Sequence, residues 1–168
     1  MSRTVPQRRD APGAQGVSLR RAEGRDLEPI LNLLRRASLP TAGVADHIAT
    51  FWVAEFPFAP GAPQVVATGG LEVYPPYCLL RSVAVEPEFQ GRGIARLLVQ
   101  QALEEAARRG CRQAFLLTTT AEAYFARLGW ERRPRQSLPR DLEASAELRG
   151  ACPATAAAMG LELDRLGG

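Results

Sequence analysis

The sequence predicts an α/β domain with a mixed central sheet and helices on both faces. Three observations carry that prediction. Strand-like apolar runs and helical stripes of period 3.6 follow one another in the order β-α-β-β-β-α-β-α-β. The middle of the chain is a meander of three strands, "TFWVAEF", "QVVATGGLEVY" and "CLLRSVAV", joined by Pro/Gly turns. The 168 residues, 46% hydrophobic and 23% charged, have the composition of one globular domain.

The first 16 residues, rich in Pro, Gly, Arg and Gln, read as a disordered lead-in. They hold basic residues but no apolar segment after them, so they do not read as a secretory signal. Residues 17–168 read as a single domain. "VSLR" is the first strand. Leu27, Ile30, Leu31 and Leu34 then make one helix face, with Asp26 placed as its N-cap. "LPTAGVADH" is a loop with a short helical turn and holds His47, the one histidine. After the meander, Ala95, Leu98, Val99, Ala102, Leu103 and Ala106 form the stripe of a long helix. Its wet side is expected to carry the pairs Glu104–Arg108 and Glu105–Arg109, and Gly110 to follow its end. "RQAFLLTTT" is a strand, Thr119 and Glu122 fit a capping box for the next helix, and "WERRPRQ" is a strand. The rest is an Ala-rich helical stretch broken at Pro153.

Composition excludes several classes. No apolar run approaches the roughly 20 residues of a membrane span. All 21 basic residues are arginine, so a lysine Schiff base or a lysine phosphate clamp is ruled out. Three arginines in the tail are weak grounds for nucleic-acid binding, and none is expected. Cys78, Cys111 and Cys152 are widely spaced and lack a CxxC pattern, which argues against a disulfide framework or a metal site. Reduced thiols and the absence of an export signal give a cytoplasmic expectation.

The densest motif is "VAVEPEFQGRGIARLL", Val83–Leu98, where a strand passes through two glycines into a helix. A helix start offers unpaired N–H groups and a positive dipole end, and glycine lets a ligand approach the backbone. Together these suit phosphate groups. The pattern G-x-x-x-x-G-K-[ST] is absent, and a dinucleotide fingerprint fails because Arg96 stands at its last glycine position.

Gln90, Gly93 and Ala95 satisfy Q/R-x-x-G-x-G/A, preceded by Val83, Val85 and Pro87. This resembles the acyl-CoA signature of the GCN5-related N-acetyltransferases (GNAT). "AEAYFARLGW" is similar to that family's second signature. "ASLPTAGVADH", "GLEVY", "LLRSVAV", "FLLTTTAE" and "ACPATAAAM" together further resemble a bacterial subgroup associated with arsenic-resistance operons. The resemblance implies the GNAT fold, with a mixed, mostly antiparallel sheet. It implies acetyl-CoA as cosubstrate and a small-molecule amine as acceptor, either amino-acid-like or an organoarsenical or phosphinic compound. A catalytically weak acyl-CoA sensor is the alternative, and a homodimer is left open. By the resemblance, the backbone of Val83, Ala84 and Val85 would take the pantetheine arm. The N–H groups of Gly91, Arg92, Gly93, Ile94, Ala95 and Arg96 would hold the pyrophosphate, with charge added by Arg92 and Arg96.

Amine acetylation needs a proton acceptor and a donor for the oxyanion. Glu72, near a strand end, is the candidate base and His47 the alternative. Where many family members have a tyrosine as general acid, this chain has Phe125, and Tyr124 stands one place earlier. One residue is about 100° on a helix, so Tyr124 serves only if it is shifted into the site. Thr118 or Thr120 would make a cofactor hydrogen bond. Strict alternation puts Arg81 on the same face as Val83 and Val85, and Ser82 on the other. Arg81 would meet either a substrate carboxylate or an acid such as Glu72. Tyr74 would line the acceptor pocket, while Trp52 fits the core better.

Overall fold

The computed structural model describes residues 16–166, so the lead-in expected over 1–16 lies outside it except for Gly16. Seven strands form one sheet: β1 (Ser18–Arg21), β2 (Phe51–Phe56), β3 (Gln64–Tyr74), β4 (Tyr77–Val85), β5 (Gln113–Thr118), β6 (Glu131–Arg133) and β7 (Ala157–Glu162). Three helices accompany them: α1 (Leu27–Arg36), α2 (Ile94–Arg108) and α3 (Glu122–Arg127). The strand order is β1-β2-β3-β4-β5-β7-β6. Every pairing is antiparallel except β4 with β5. That exception follows from α2, whose crossover returns the chain in the same direction.

Period-2 alternation assigns the faces. Phe51 and Val53 of β2 pack with Ile30, Leu33 and Leu34 of α1. Trp52 and Ala54 point the other way and pack with Ile94 and Leu98 of α2. A second patch under α2 and α3 joins Leu80, Leu116, Phe125 and Trp130. The mixed sheet with helices on both faces is therefore present, and Trp52 is a core residue. Gly110 follows α2 with φ +86°, the left-handed turn expected of a residue after a helix end.

The strand β7 departs from the expected Ala-rich helix. "AAMGLE" has neither aromatic nor β-branched residues, so local propensity favours a helix. Tertiary context overrides it, because the segment fills the slot between β5 and β6. Small residues suit that slot: a Cβ on Gly160 would meet the Phe115 ring at 3.2 Å and Arg133 at 3.3 Å.

Three local expectations are also corrected. Asp26 does not cap α1; its carboxylate accepts from the Glu23 N–H at 2.7 Å and from Arg20 at 2.7 and 2.9 Å, which holds it below the usual carboxylate range. The Thr119–Glu122 box does not form. Instead the Ala121 N–H donates to Thr118 Oγ1 at 2.9 Å, one residue earlier. Glu105 is not on the wet side of α2 but 4% exposed. The Arg21 guanidinium at 2.7 Å, with Arg108 and Arg109 at 2.8 Å, lowers its carboxyl to about 2.

This cluster ties the β1 end to α2 and sets a pH dependence. A carboxyl depressed in the folded state stabilises it above its unfolded value near 4.5, and that contribution fades as pH falls toward 2. Glu105→Gln should cost on the order of 1–2 kcal/mol at pH 7, given that its arginine partners are half exposed and screened. Urea titrations at pH 7 and pH 3 measure it: the gap between variant and parent should narrow at pH 3.

Candidate active site

The strands β4 and β5 hydrogen-bond over three residue pairs only, from Tyr77↔Gln113 to Leu79↔Phe115. Beyond Leu79 they part, and a cleft of about 580 Å³ opens in the V between them. Arg81–Val85 form one wall and Leu116–Thr120 the other. Phe125 of α3 and Glu147, Ala151 and Cys152 of the β6–β7 connection close it. Past Leu79, the β4 edge facing β5 has no strand partner there. Apart from the Val85 carbonyl, which Gln90 holds, the N–H and C=O groups of that edge are available to an extended ligand, as at any open sheet edge.

A bulge shapes this wall. The β3–β4 register shifts between Thr68 and Gly70, and Ser82 has φ +60°, which is uncommon outside glycine. The extra residue breaks the alternation. Arg81 therefore turns to the α1 face, while Val83 and Val85 pack with the α2 face. The expectation that all three share a face is corrected. Ser82 Oγ accepts from Arg81 Nε at 3.0 Å, so it follows Arg81 instead of opposing it.

The glycine turn sits at the far end of β4. Gly91 and Gly93 have φ +77° and +79°, a region that L side chains rarely adopt. A Cβ at either would meet nothing within 4 Å, so both face open space. Gly93 is the N-cap of α2, and the first intrahelical bond comes from Leu97 N–H to Gly93 C=O. The N–H groups of Ile94, Ala95 and Arg96 thus precede the ladder. Gln90 Nε2 donates to the Val85 carbonyl at 3.0 Å and lines the cleft, bracing strand against turn. Arg92 donates to the Glu88 carbonyl and lies over the Phe89 ring at 4.9 Å, so its charge is held by its own turn. Arg96 lines a different groove, between α2 and α3.

Of the residues expected to meet a cofactor, Val83, Ala84, Val85, Gln90, Thr118, Thr120 and Phe125 line the cleft. Tyr124 does not; it packs against the core beside Leu128 and forms an edge contact with Phe125. The helix rotation between neighbouring positions therefore gives the cleft a phenyl ring in place of a phenol at this position.

The acidic candidates form one network. Glu72 is fully buried on β3. One of its oxygens accepts from Tyr74 Oη at 2.5 Å and lies 3.3 Å from His47 Nε2. The other accepts from Arg81 Nη1 at 2.7 Å and Ser145 Oγ at 3.1 Å. The structure thus brings Glu72, His47, Tyr74, Arg81 and Ser82 together. It assigns Arg81 an acid partner within the protein. Glu72, His47 and Tyr74 do not line the cleft, so Glu72 reaches it only through Arg81.

The carboxylate on the cleft wall is Glu147, which sequence reasoning missed. It sits in a π turn, Glu147–Ala151, and its Oε1 lies 3.6 Å from Arg81 Nε. Burial pushes its carboxyl up to about 7; Glu72 adds to the rise, while Arg81 opposes it. Cys152, also on the wall, is pushed by burial to about 12 and stays a thiol. No local signal separates Glu147 from Glu143, which is exposed four residues earlier. The three cysteines are free; β4 and the turn between α2 and β5 nevertheless bring Cys78 and Cys111 into thiol contact, which their sequence spacing did not suggest. No group of three potential metal ligands occurs among the described residues.

Residues 47–132, just over half of the chain, match the model of the acetyltransferase (GNAT) domain. The chain belongs to the GNAT family. Among its curated relatives, an N-acetyltransferase of Chlorobaculum tepidum is 29% identical over 100 residues, 59% of this chain and 61% of that one. The amino-acid acetyltransferase of Mycobacterium tuberculosis is 37% identical over 86 residues, 51% of this chain and 48% of that one. The chain therefore spans about half to three fifths of the length of these two curated relatives. Two solved structures share the GNAT fold. A Mycobacterium tuberculosis protein in complex with CoA superposes with TM-score 0.69 at 24% identity, over 86% of this chain and 98% of that one. Neisseria gonorrhoeae N-acetylglutamate synthase, complexed with coenzyme A and N-acetyl-glutamate, gives 0.72 at 20%, over 88% and 35%.

Proposed function

We propose that this GNAT protein transfers the acetyl group of acetyl-CoA to the amine of a small, amino-acid-like molecule. The observation that carries the reading is the splayed β4–β5 cleft, with an unpaired strand edge leading to the glycine turn at the start of α2. That geometry fits an extended thiol arm ending in a pyrophosphate. The edge of Val83–Val85 would hydrogen-bond the arm in strand fashion. The N–H groups from Gly91 to Arg96 would face the phosphates, where the helix dipole favours negative charge. Thr118, Thr120 and Phe125 would border the reacting end.

Two strands of support favour an amino-acid-like acceptor. One curated relative is an amino-acid acetyltransferase, and one structural neighbour holds N-acetyl-glutamate beside coenzyme A. Organoarsenical and phosphinic amino acid analogues belong to the same steric class, and the arsenic-operon resemblance points to them. The free thiols fit work in the cytoplasm, and no described helix is long and apolar enough to cross a membrane.

Phe125 gives a specific ground for a second reading. With no hydroxyl at that position to protonate a departing thiolate, the protein would be a weak catalyst that senses acyl-CoA. A thiol-release screen with acetyl-CoA over amino acids, phosphinic and arsinic analogues and polyamines decides between them. Turnover of an amino acid or analogue supports the transferase. Tight acetyl-CoA binding with no thiol release across the panel establishes the sensor.

A further inference from the structure

The structure sets two carboxylates around one guanidinium, and their surroundings differ. Glu72 lies behind Arg81 with both oxygens taken by Tyr74, Arg81 and Ser145, and with His47 close by. Arg81 is correspondingly spent. Its Nη1 serves Glu72, its Nε serves Ser82 Oγ, and its Nη2 reaches the Pro40 carbonyl at 3.5 Å. Only a 3.6 Å approach is left for Glu147, beyond hydrogen-bond length. The groups that face Glu147 are Arg81 from β4, Glu72 from β3 behind it, and the Cys152 thiol from its own connection. One cation thus stands against two acids, and the acid on the cleft wall has the weaker claim on it.

We propose that Glu147 is the group that takes the proton of the acceptor amine, and that Glu72 is a positioning residue that holds Arg81 between them. This rests on the acetyl-transfer reading. An incoming ammonium supplies the positive charge that Glu147 lacks, so the cleft favours a primary amine arriving as a cation. One N–H proton then passes to the Glu147 carboxylate. The freed nitrogen lone pair attacks the acetyl carbon, a C–N bond forms and the C–S bond breaks. The second N–H proton goes to the departing sulfur through water, and Glu147 returns its own proton to solvent. Products are the amide and free CoA thiol, with one proton released. A carboxyl near 7 suits this task, since a base works best with its pKa close to the working pH. The position explains why Glu72, fully enclosed, need not reach the substrate.

The test compares the parent with Glu147→Gln and Glu147→Asp, using the best amine from the screen. In the parent, kcat/KM should rise with pH along a limb centred near 7, as Glu147 loses its proton. Glu147→Gln should lower kcat/KM by roughly 10²–10³-fold and abolish that limb, with acetyl-CoA affinity kept within about twofold. Glu147→Asp should retain the limb at a reduced rate. Carbon-13 titration of glutamate-labelled parent protein should show one carboxyl with a midpoint near 7, which keeps the proposal testable if Glu147→Gln does not fold. Its absence overturns the proposal. So does Glu147→Gln activity within threefold of the parent, or an unchanged limb. Activity that survives in Glu147→Gln removes the base assignment alone. A parent that binds acetyl-CoA but turns over no amine removes the acetyl-transfer reading, and the assignment with it.

Discussion

Arg81→Ala is expected to destabilise the folded protein by about 3–5 kcal/mol, the usual cost of stripping one partner from a buried ion pair. The side chains of Arg81 and Glu72 are both fully inaccessible. Without the guanidinium, the Glu72 carboxylate keeps only the neutral donors Tyr74 and Ser145 and the edge of His47. Glu147 loses its nearest cation as well. A truncated side chain also leaves a void beside Gly43. Urea unfolding at pH 7 measures the loss; a change below 1 kcal/mol would show that the network does not hold this part of the sheet. Adding Glu72→Gln to Arg81→Ala removes the stranded charge, so the double variant should recover part of the loss. That coupling is what separates a buried charge from a simple cavity.

Gly93→Val should weaken CoA binding by tenfold or more, and cost about 1–3 kcal/mol of stability. The backbone at Gly93 has φ +79° and ψ +10°, a conformation that a β-branched residue resists. No protein atom lies within 4 Å of its Cβ site, so the added side chain projects into the open space at the start of α2, where the pyrophosphate is proposed to lie. Gly110→Val provides the control. Gly110 has φ +86° and open space around it, but lies at the opposite end of α2. Both variants should share the backbone cost, and only Gly93→Val should lose CoA affinity by calorimetry. Equal affinity in folded Gly93→Val and Gly110→Val would remove the glycine turn from the cofactor site.

Much of the framework was legible before any coordinates. The strand read as "QVVATGGLEVY" has the same bounds as β3, and the stripe from Leu98 to Ala106 is buried along α2. Strong periodicity over many residues survives tertiary packing, because the whole face is buried or exposed together. Local patterns of one or two residues were less secure. Asp26 and Thr119 have cap-like spacing, yet Arg20 claims the first and Thr118 takes the place of the second. Glu105 repeats an i,i+4 pattern found on solvated faces, but Arg21 arrives from β1, far away in sequence, and buries it.

The site divides in the same way. Its backbone half, from Val83 to Ala95, is a contiguous segment, and its chemistry follows from two glycines, an open edge and a helix start. Sequence by itself determined its glycine turn and helix start, which lie within one strand–turn–helix, while its open edge comes from the parting of β4 and β5. The side-chain half was decided by tertiary structure. A bulge at Ser82 turns Arg81 away from its valine neighbours. Helix rotation gives the cleft Phe125 in place of Tyr124. β7, with no strand propensity of its own, is inserted between β5 and β6, and the connection leading to it lays Glu147 beside Arg81. Local propensity extends over a few residues, whereas the meeting of β3, β4 and the β6–β7 connection depends on pairings more than 60 residues apart in sequence. Only the assembled sheet brings Glu72, Arg81 and Glu147 into one cluster.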